Sequence, residues 1–182
     1  MTTRTSLSLK KTKRVALGAA FVCFALALSF LETLIPTDLF IPIPGFKLGL
    51  ANIVICVVFY RESPGMAAAV SACRLCLTLI LFSNVSAFLF SLTGAVLSYV
   101  SLFFSKYILK SKVSFIGVSV ISAFFHNAGQ LICASLVMGS LSVFYYTPYL
   151  ILTSAICGAL TGIILVFLPR KIFFEKESLE SL

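Results

Sequence analysis

A chain of 182 residues with 60% hydrophobic side chains, only 11% charged ones and a mean hydropathy of +1.10 lies far from the composition of a water-soluble domain. The formal net charge of +8 does not indicate nucleic acid, because the basic residues are scattered between apolar blocks and form no face interleaved with aromatics. What remains is an all-α integral membrane bundle. At roughly 20 apolar residues per spanning helix, the length holds about six transmembrane helices and no separate soluble domain.

Residues 1–14 form a basic N-terminal segment containing Arg4, Lys10, Lys11, Lys13 and Arg14. The first span follows from Val15 to Ile35 and is stopped by Pro36. Its apolar run is longer than a signal-peptide core and no small-x-small site leads into a polar start, so the span is expected to be retained. Pro36, Pro42, Pro44 and Gly45 make the next stretch an irregular outer loop, with Pro44, Gly45, Phe46 and Lys47 as a gating segment. A second span is expected from about Lys47 to Tyr60, and Arg61 to Gly65 reads as a polar turn. The third span, Met66 to Phe82, has Arg74 at its middle. The fourth runs from about Ser86 to Ile108 and the fifth from Val113 to Met138. An outer loop, Gly139 to Thr147, precedes the sixth, Pro148 to Leu168. A polar tail, 169–182, closes the chain around the transmembrane domain 15–168.

With both termini inside, Lys47 is the only basic residue on the outer side. The positive-inside rule therefore supports six spans with cytoplasmic N and C termini, in a multi-pass protein of a bacterial inner or plasma membrane.

The six cysteines all fall within spans, where they act as small apolar residues. Cys73 and Cys76 have the spacing of a metal pair, but no second pair accompanies them and the single histidine is distant in the chain. We therefore expect no metal site and no cofactor. Small residues at fourfold spacing, as in Ala16/Ala20, Gly94/Ser98, Ser119/Ala123 and Ser154/Gly158/Gly162, mark close helix approach. Ala16 and Ala20 are the stripe best placed to meet a partner.

Chemistry concentrates in the fifth span. His126, Asn127 and Gln130 lie three or four residues apart in pairs, on neighbouring parts of one helical face. Polar side chains at that depth need another helix, water or a ligand to satisfy them. Counting the helical rise places Glu32, Asn52, Arg74, His126, Asn127 and Gln130 in one layer in the outer half, with Tyr145 and Tyr146 near its rim. Two readings stay open: a site for a small molecule arriving from outside, or mutual satisfaction between helices that includes a Glu32–Arg74 pair.

Six elements carry a family resemblance: Leu31-Glu-Thr-Leu-Ile-Pro36, Pro44-Gly-Phe-Lys-Leu-Gly-Leu-Ala-Asn-Ile53, Arg74, Ser91-Leu-Thr-Gly94, Gly117-Val-Ser119 and His126-Asn-Ala-Gly-Gln130. Together, over about Arg14 to Leu168, they resemble the heptaprenyl diphosphate synthase component I family, also called the Gx transporter family. That family is in turn similar in span number, length and site position to the substrate-binding S subunits of energy-coupling factor transporters. The second resemblance implies a coupling subunit with ATPases, met through the stripe that Ala16 and Ala20 match.

The two family names imply different biochemistry. Prenyl transfer from a diphosphate calls for magnesium held by clustered carboxylates, yet the only aspartate is Asp38 and no span holds an acidic pair. Neither a P-loop nor a Ser/His/Asp triad is present. An enzyme is therefore not expected. The expectation is a substrate-capture subunit of a small-molecule uptake transporter, embedded in the lipid bilayer. The alternative is a non-catalytic accessory subunit of a prenyl diphosphate synthase or redox complex.

Overall fold

The structure is a computed structural model that describes residues 2–34, 47, 49–82, 85–109 and 113–167, with side chains from residue 12 onward except Phe82. Six α-helices and no strand occur among the described residues. They are α1 (Thr2–Thr33), α2 (Ala51–Arg61), α3 (Pro64–Phe82), α4 (Val85–Phe104), α5 (Phe115–Met138) and α6 (Thr147–Phe167).

Local chemistry explains most boundaries. Lysine and arginine are good helix formers, so α1 continues back through the basic segment to Thr2. Its buried positions, Phe21, Ala25, Ser29 and Glu32, recur every three or four residues and define one face. The expected turn before the third span shrinks to Glu62 and Ser63, because Ser63 Oγ accepts the Met66 N–H (3.2 Å) and Pro64 occupies the first helical position, where no N–H is needed. Ser114 caps α5 by accepting the Gly117 N–H (3.1 Å), and Gly139, at φ +61°, ends it in the left-handed conformation. The expected outer loop from Gly139 to Thr147 is instead largely helical, a 3-10 segment (Leu141–Tyr146) that runs directly into α6.

The main departure concerns the second span. The helix covers only 11 residues, which at 1.5 Å each is about 16 Å, or half of a ~30 Å hydrocarbon core. Gly49, at φ +86°, sets the chain outside helical geometry just before α2. Eight of the 11 residues are buried, and α2 touches α1, α3, α4 and α6. It is a central half-helix, not an independent span.

Five other segments have the length and apolarity of membrane crossings: Thr12–Thr33, Pro64–Leu81, Val85–Leu109, Phe115–Met138 and Leu141–Phe167. The distribution of polarity is inverted relative to a soluble protein. Phe24, Ile80, Leu136 and Phe167 are exposed, whereas Ser98, Ser122, Asn127 and Gln130 are buried. Arg14 Nη2 lies 3.4 Å from Ser63 Oγ, and Arg61 donates to the Leu165 carbonyl. Arg14 in the first half of α1, the start of α3 and the end of α6 therefore share one end of the bundle. Beside them a π-helical turn (Ser105–Leu109) carries Lys106, whose Nζ lies 3.4 Å from the Phe59 carbonyl and 5.2 Å from the Phe59 ring centroid. It places a cation at the negative C-terminal end of α2.

The expected small-residue stripe on the sixth span is the α5–α6 seam. A Cβ at Gly158 would fall on the Val120 backbone, and one at Gly162 on the Ile116 backbone. Gly129 plays the same part toward α4, where a Cβ would lie 2.7 Å from the Thr93 carbonyl oxygen. Gly158→Leu or Gly162→Leu should therefore lower the thermal midpoint followed by circular dichroism, at a cost of about 1–3 kcal/mol or more from overpacking. Gly65→Ala, where a Cβ meets nothing within 4 Å, should not. Equal midpoints for all three variants would contradict the seam.

Candidate functional site

The positive N-terminal end of α2 lies inside the bundle, and three contacts satisfy the chain there. Glu32, at the far end of α1, accepts the Leu50 N–H through Oε1. Gln130 grips Lys47 through a paired amide contact. Its Oε1 accepts the Lys47 N–H and its Nε2 donates to the Lys47 carbonyl, both at 3.0 Å. The Gly49 carbonyl accepts the Asn52 N–H at 2.9 Å. A carboxylate against a helix N-terminus is favourable on electrostatic grounds alone, and more so where water is scarce.

The Asn52 side chain closes a ring across three helices. Its Nδ2 donates to Ser122 Oγ on α5 (3.1 Å), and Ser98 Oγ on α4 donates to its Oδ1 (2.8 Å). The two hydroxyls are 2.8 Å apart. With the Ser98 proton committed to Asn52, Ser122 is the donor between them, so each hydroxyl gives once and accepts from a neighbour. Cys56 Sγ sits 3.5 Å from Ser122 Oγ at the edge of the ring.

His126 occupies a slot bounded by two glycines. A Cβ at Gly49 would stand 2.8 Å from its Cδ2, and one at Gly94 would stand 2.9 Å from its Cε1. Its Nδ1 approaches the Gly94 main chain without meeting hydrogen-bond geometry and is buried without a partner. Asn127 turns toward α6, where Nδ2 donates to Ser154 Oγ (2.9 Å) and Thr153 Oγ1 (3.3 Å), leaving Oδ1 buried and unpartnered. Arg74 is 4% exposed and donates from Nη1 to Ser29 Oγ on α1 (3.2 Å), while its Nε is buried with no partner among the described residues. Glu32 and Arg74 do not hydrogen-bond to each other, although their charges and that of Lys47 act on one another through space.

The residues that sequence spacing groups in one layer divide by depth and by task. Counting 1.5 Å per residue from the end marked by Arg61 and Ser63, Asn52, Arg74 and His126 stand about 14 to 17 Å up, near mid-bundle, and Gln130 about 23 Å. Each polar side-chain atom of Asn52 and Gln130 meets a protein group. Arg74, His126 and Asn127 each keep a buried atom with no hydrogen-bond partner among the described residues. Of the expected gating segment, Pro44, Gly45 and Phe46 lie outside the described residues, whereas Lys47 is buried. Tyr145 is exposed, and Tyr146 packs beside an apolar cluster that includes Phe90 and Leu131. Sequence spacing missed Ser29, Ser98, Ser122, Thr153 and Ser154 as partners and Gly49 with Gly94 as the slot. The Gly94/Ser98 stripe was the available signal, since its serine faces the ring.

A closed ring loses its cooperativity at the first break. Ser98→Ala and Ser122→Ala should each destabilise the protein by about 0.5–2 kcal/mol, and the double variant by clearly less than the sum. Additive losses in equilibrium unfolding would show that the hydroxyls act independently.

No curated protein and no solved structure matches the chain. Residues 21–168, which include all six candidate binding residues and every helix of the bundle apart from the first part of α1, match the family model described as heptaprenyl diphosphate synthase component I. The chain belongs to the heptaprenyl diphosphate synthase component I family.

Proposed function

We propose that this protein is a membrane-embedded capture subunit for a small molecule, comparable to the S subunits of energy-coupling factor transporters. The observation that carries the reading is the group of buried polar atoms without partners among the described residues, Arg74 Nε, His126 Nδ1 and Asn127 Oδ1, beside Asn52 and Gln130, whose polar side-chain atoms each have one. An unanswered polar atom at such depth costs on the order of 1–3 kcal/mol. A molecule that brings its own donors and acceptors repays that cost on binding. In this reading Arg74, His126 and Asn127 contact the ligand. Glu32, Asn52 and Gln130 hold the wall, and the segment ending at Lys47 gates entry from outside, with both termini cytoplasmic.

Energy would come from separate subunits with ATPases. Ala16 and Ala20 are exposed on α1, on a stretch whose far side packs toward Met66 of α3, and so offer a low-profile strip to a membrane coupling partner. A second reading is favoured by the family description: an accessory membrane component of a prenyl diphosphate synthase. In that role the same bundle would serve as an anchor for the catalytic chain.

Two measurements separate these roles. Protein purified gently into lipid nanodiscs should carry a small molecule visible by native mass spectrometry, and His126→Ala should lower its occupancy about tenfold, equivalent to about 1.4 kcal/mol. A wild type without cargo, together with unchanged cellular uptake in His126→Ala, would remove the capture role. The bulky Ala16→Trp, Ala20→Trp pair should abolish co-purification of ATPase-bearing subunits while leaving the cargo in place. Retention of those subunits would disprove the contact on α1.

A further inference from the structure

Arg74 narrows the chemistry of the cargo, on the footing that the layer is a capture site. Its guanidinium has two hydrogen-bonding edges, and the structure treats them differently. Nη1 is anchored by Ser29 Oγ at 3.2 Å, and Ser29 is itself fully buried. Nε is buried with no partner, and Nη2 makes no hydrogen bond among the described residues. Those two nitrogens form the side-on fork, whose parallel N–H groups match the two oxygens of a carboxylate or phosphate. Glu32, the nearest carboxylate by charge coupling, turns its Oε1 to the Leu50 N–H. A cation this deep without a contact ion pair is costly unless an anion completes it.

We propose that the captured molecule carries a carboxylate or phosphate that seats on the Nε–Nη2 fork of Arg74. Ser29 is a positioning residue that holds the guanidinium by its opposite edge. Ala25 and Phe21, one and two turns before Ser29 on α1, and Val70, one turn before Arg74 on α3, are buried and apolar, so the cargo inferred here is an amphiphile with a single oxyanion head.

The test uses full-length protein in nanodiscs of zwitterionic phosphatidylcholine, with octanoate, octyl phosphate and octanol as probes and the circular-dichroism melting midpoint as readout. Octanoate or octyl phosphate should raise the midpoint at concentrations where octanol does not, and whichever acts more strongly assigns the head group. Arg74→Gln should weaken that response at least tenfold. Arg74→Lys should weaken it similarly, since an ammonium keeps the charge but lacks the fork. Ser29→Ala should weaken it several-fold with the charge intact, and carries the test if Arg74→Gln fails to fold. An Arg74-dependent rise on adding phosphatidylglycerol alone would identify a lipid headgroup as the source of the oxyanion. Equal responses to octanol, or an unchanged response in Arg74→Gln, would overturn the proposal. So would full recovery of stability in a Glu32→Gln, Arg74→Gln double variant relative to Arg74→Gln, because Glu32 would then be the true counter-charge. An uncharged cargo found by native mass spectrometry would overturn the oxyanion while leaving the capture role standing.

Discussion

A helix that begins halfway through a bundle must have its first N–H groups answered by something other than water, and this constraint organises the protein. Lipid offers no hydrogen bonds, so irregular backbone at that depth survives only where protein or a lined cavity surrounds it. Glu32 answers Leu50, and Gln130 answers both polar groups of Lys47. The left-handed Gly49 lets the chain pass close to the His126 ring. The residues most suggestive of ligand chemistry in the sequence are therefore partly occupied with supporting one unusual stretch of backbone.

That shared duty gives the polar layer a structural role whatever else it does. Discontinuous helices near the midplane are a recurrent way of building small-molecule sites in membranes, because a helix end brings a fixed partial charge to a place where free charges are costly. Here the helix end is already met by an internal carboxylate. The buried polar atoms without a partner among the described residues lie to its flanks, at Arg74 on α3 and at His126 and Asn127 on α5.

The all-helical membrane architecture was legible from composition and apolar periodicity, since each depends on averages over 20 or so residues. The His126 cluster was legible because polar residues stand out against an apolar background. Other features depend on pairings that one-dimensional spacing does not encode. Nothing in Gln130 itself reveals that its amide pairs with the backbone 83 residues earlier, and Ser98 and Ser122 look like ordinary small residues until Asn52 is set between them. The shortness of the second span was legible, since Lys47 to Tyr60 falls below the roughly 20 residues a span needs. The further loss at its start comes with the left-handed conformation at Gly49, which one-dimensional spacing does not encode.

The glycines also divide the molecule mechanically. Gly129, Gly158 and Gly162 bring α4, α5 and α6 into backbone contact, which makes them a stiff plate. The half formed by α1, α2 and α3 meets that plate through side chains: Asn52 on Ser98 and Ser122, Lys47 on Gln130, Gly49 against His126, and Tyr99 on the Pro64 carbonyl. The plane between the halves is thus the natural parting line, and the polar layer lies on it. Any movement that opens the bundle along this line breaks the backbone support of α2 and the polar layer in one step, so neither can give way without the other.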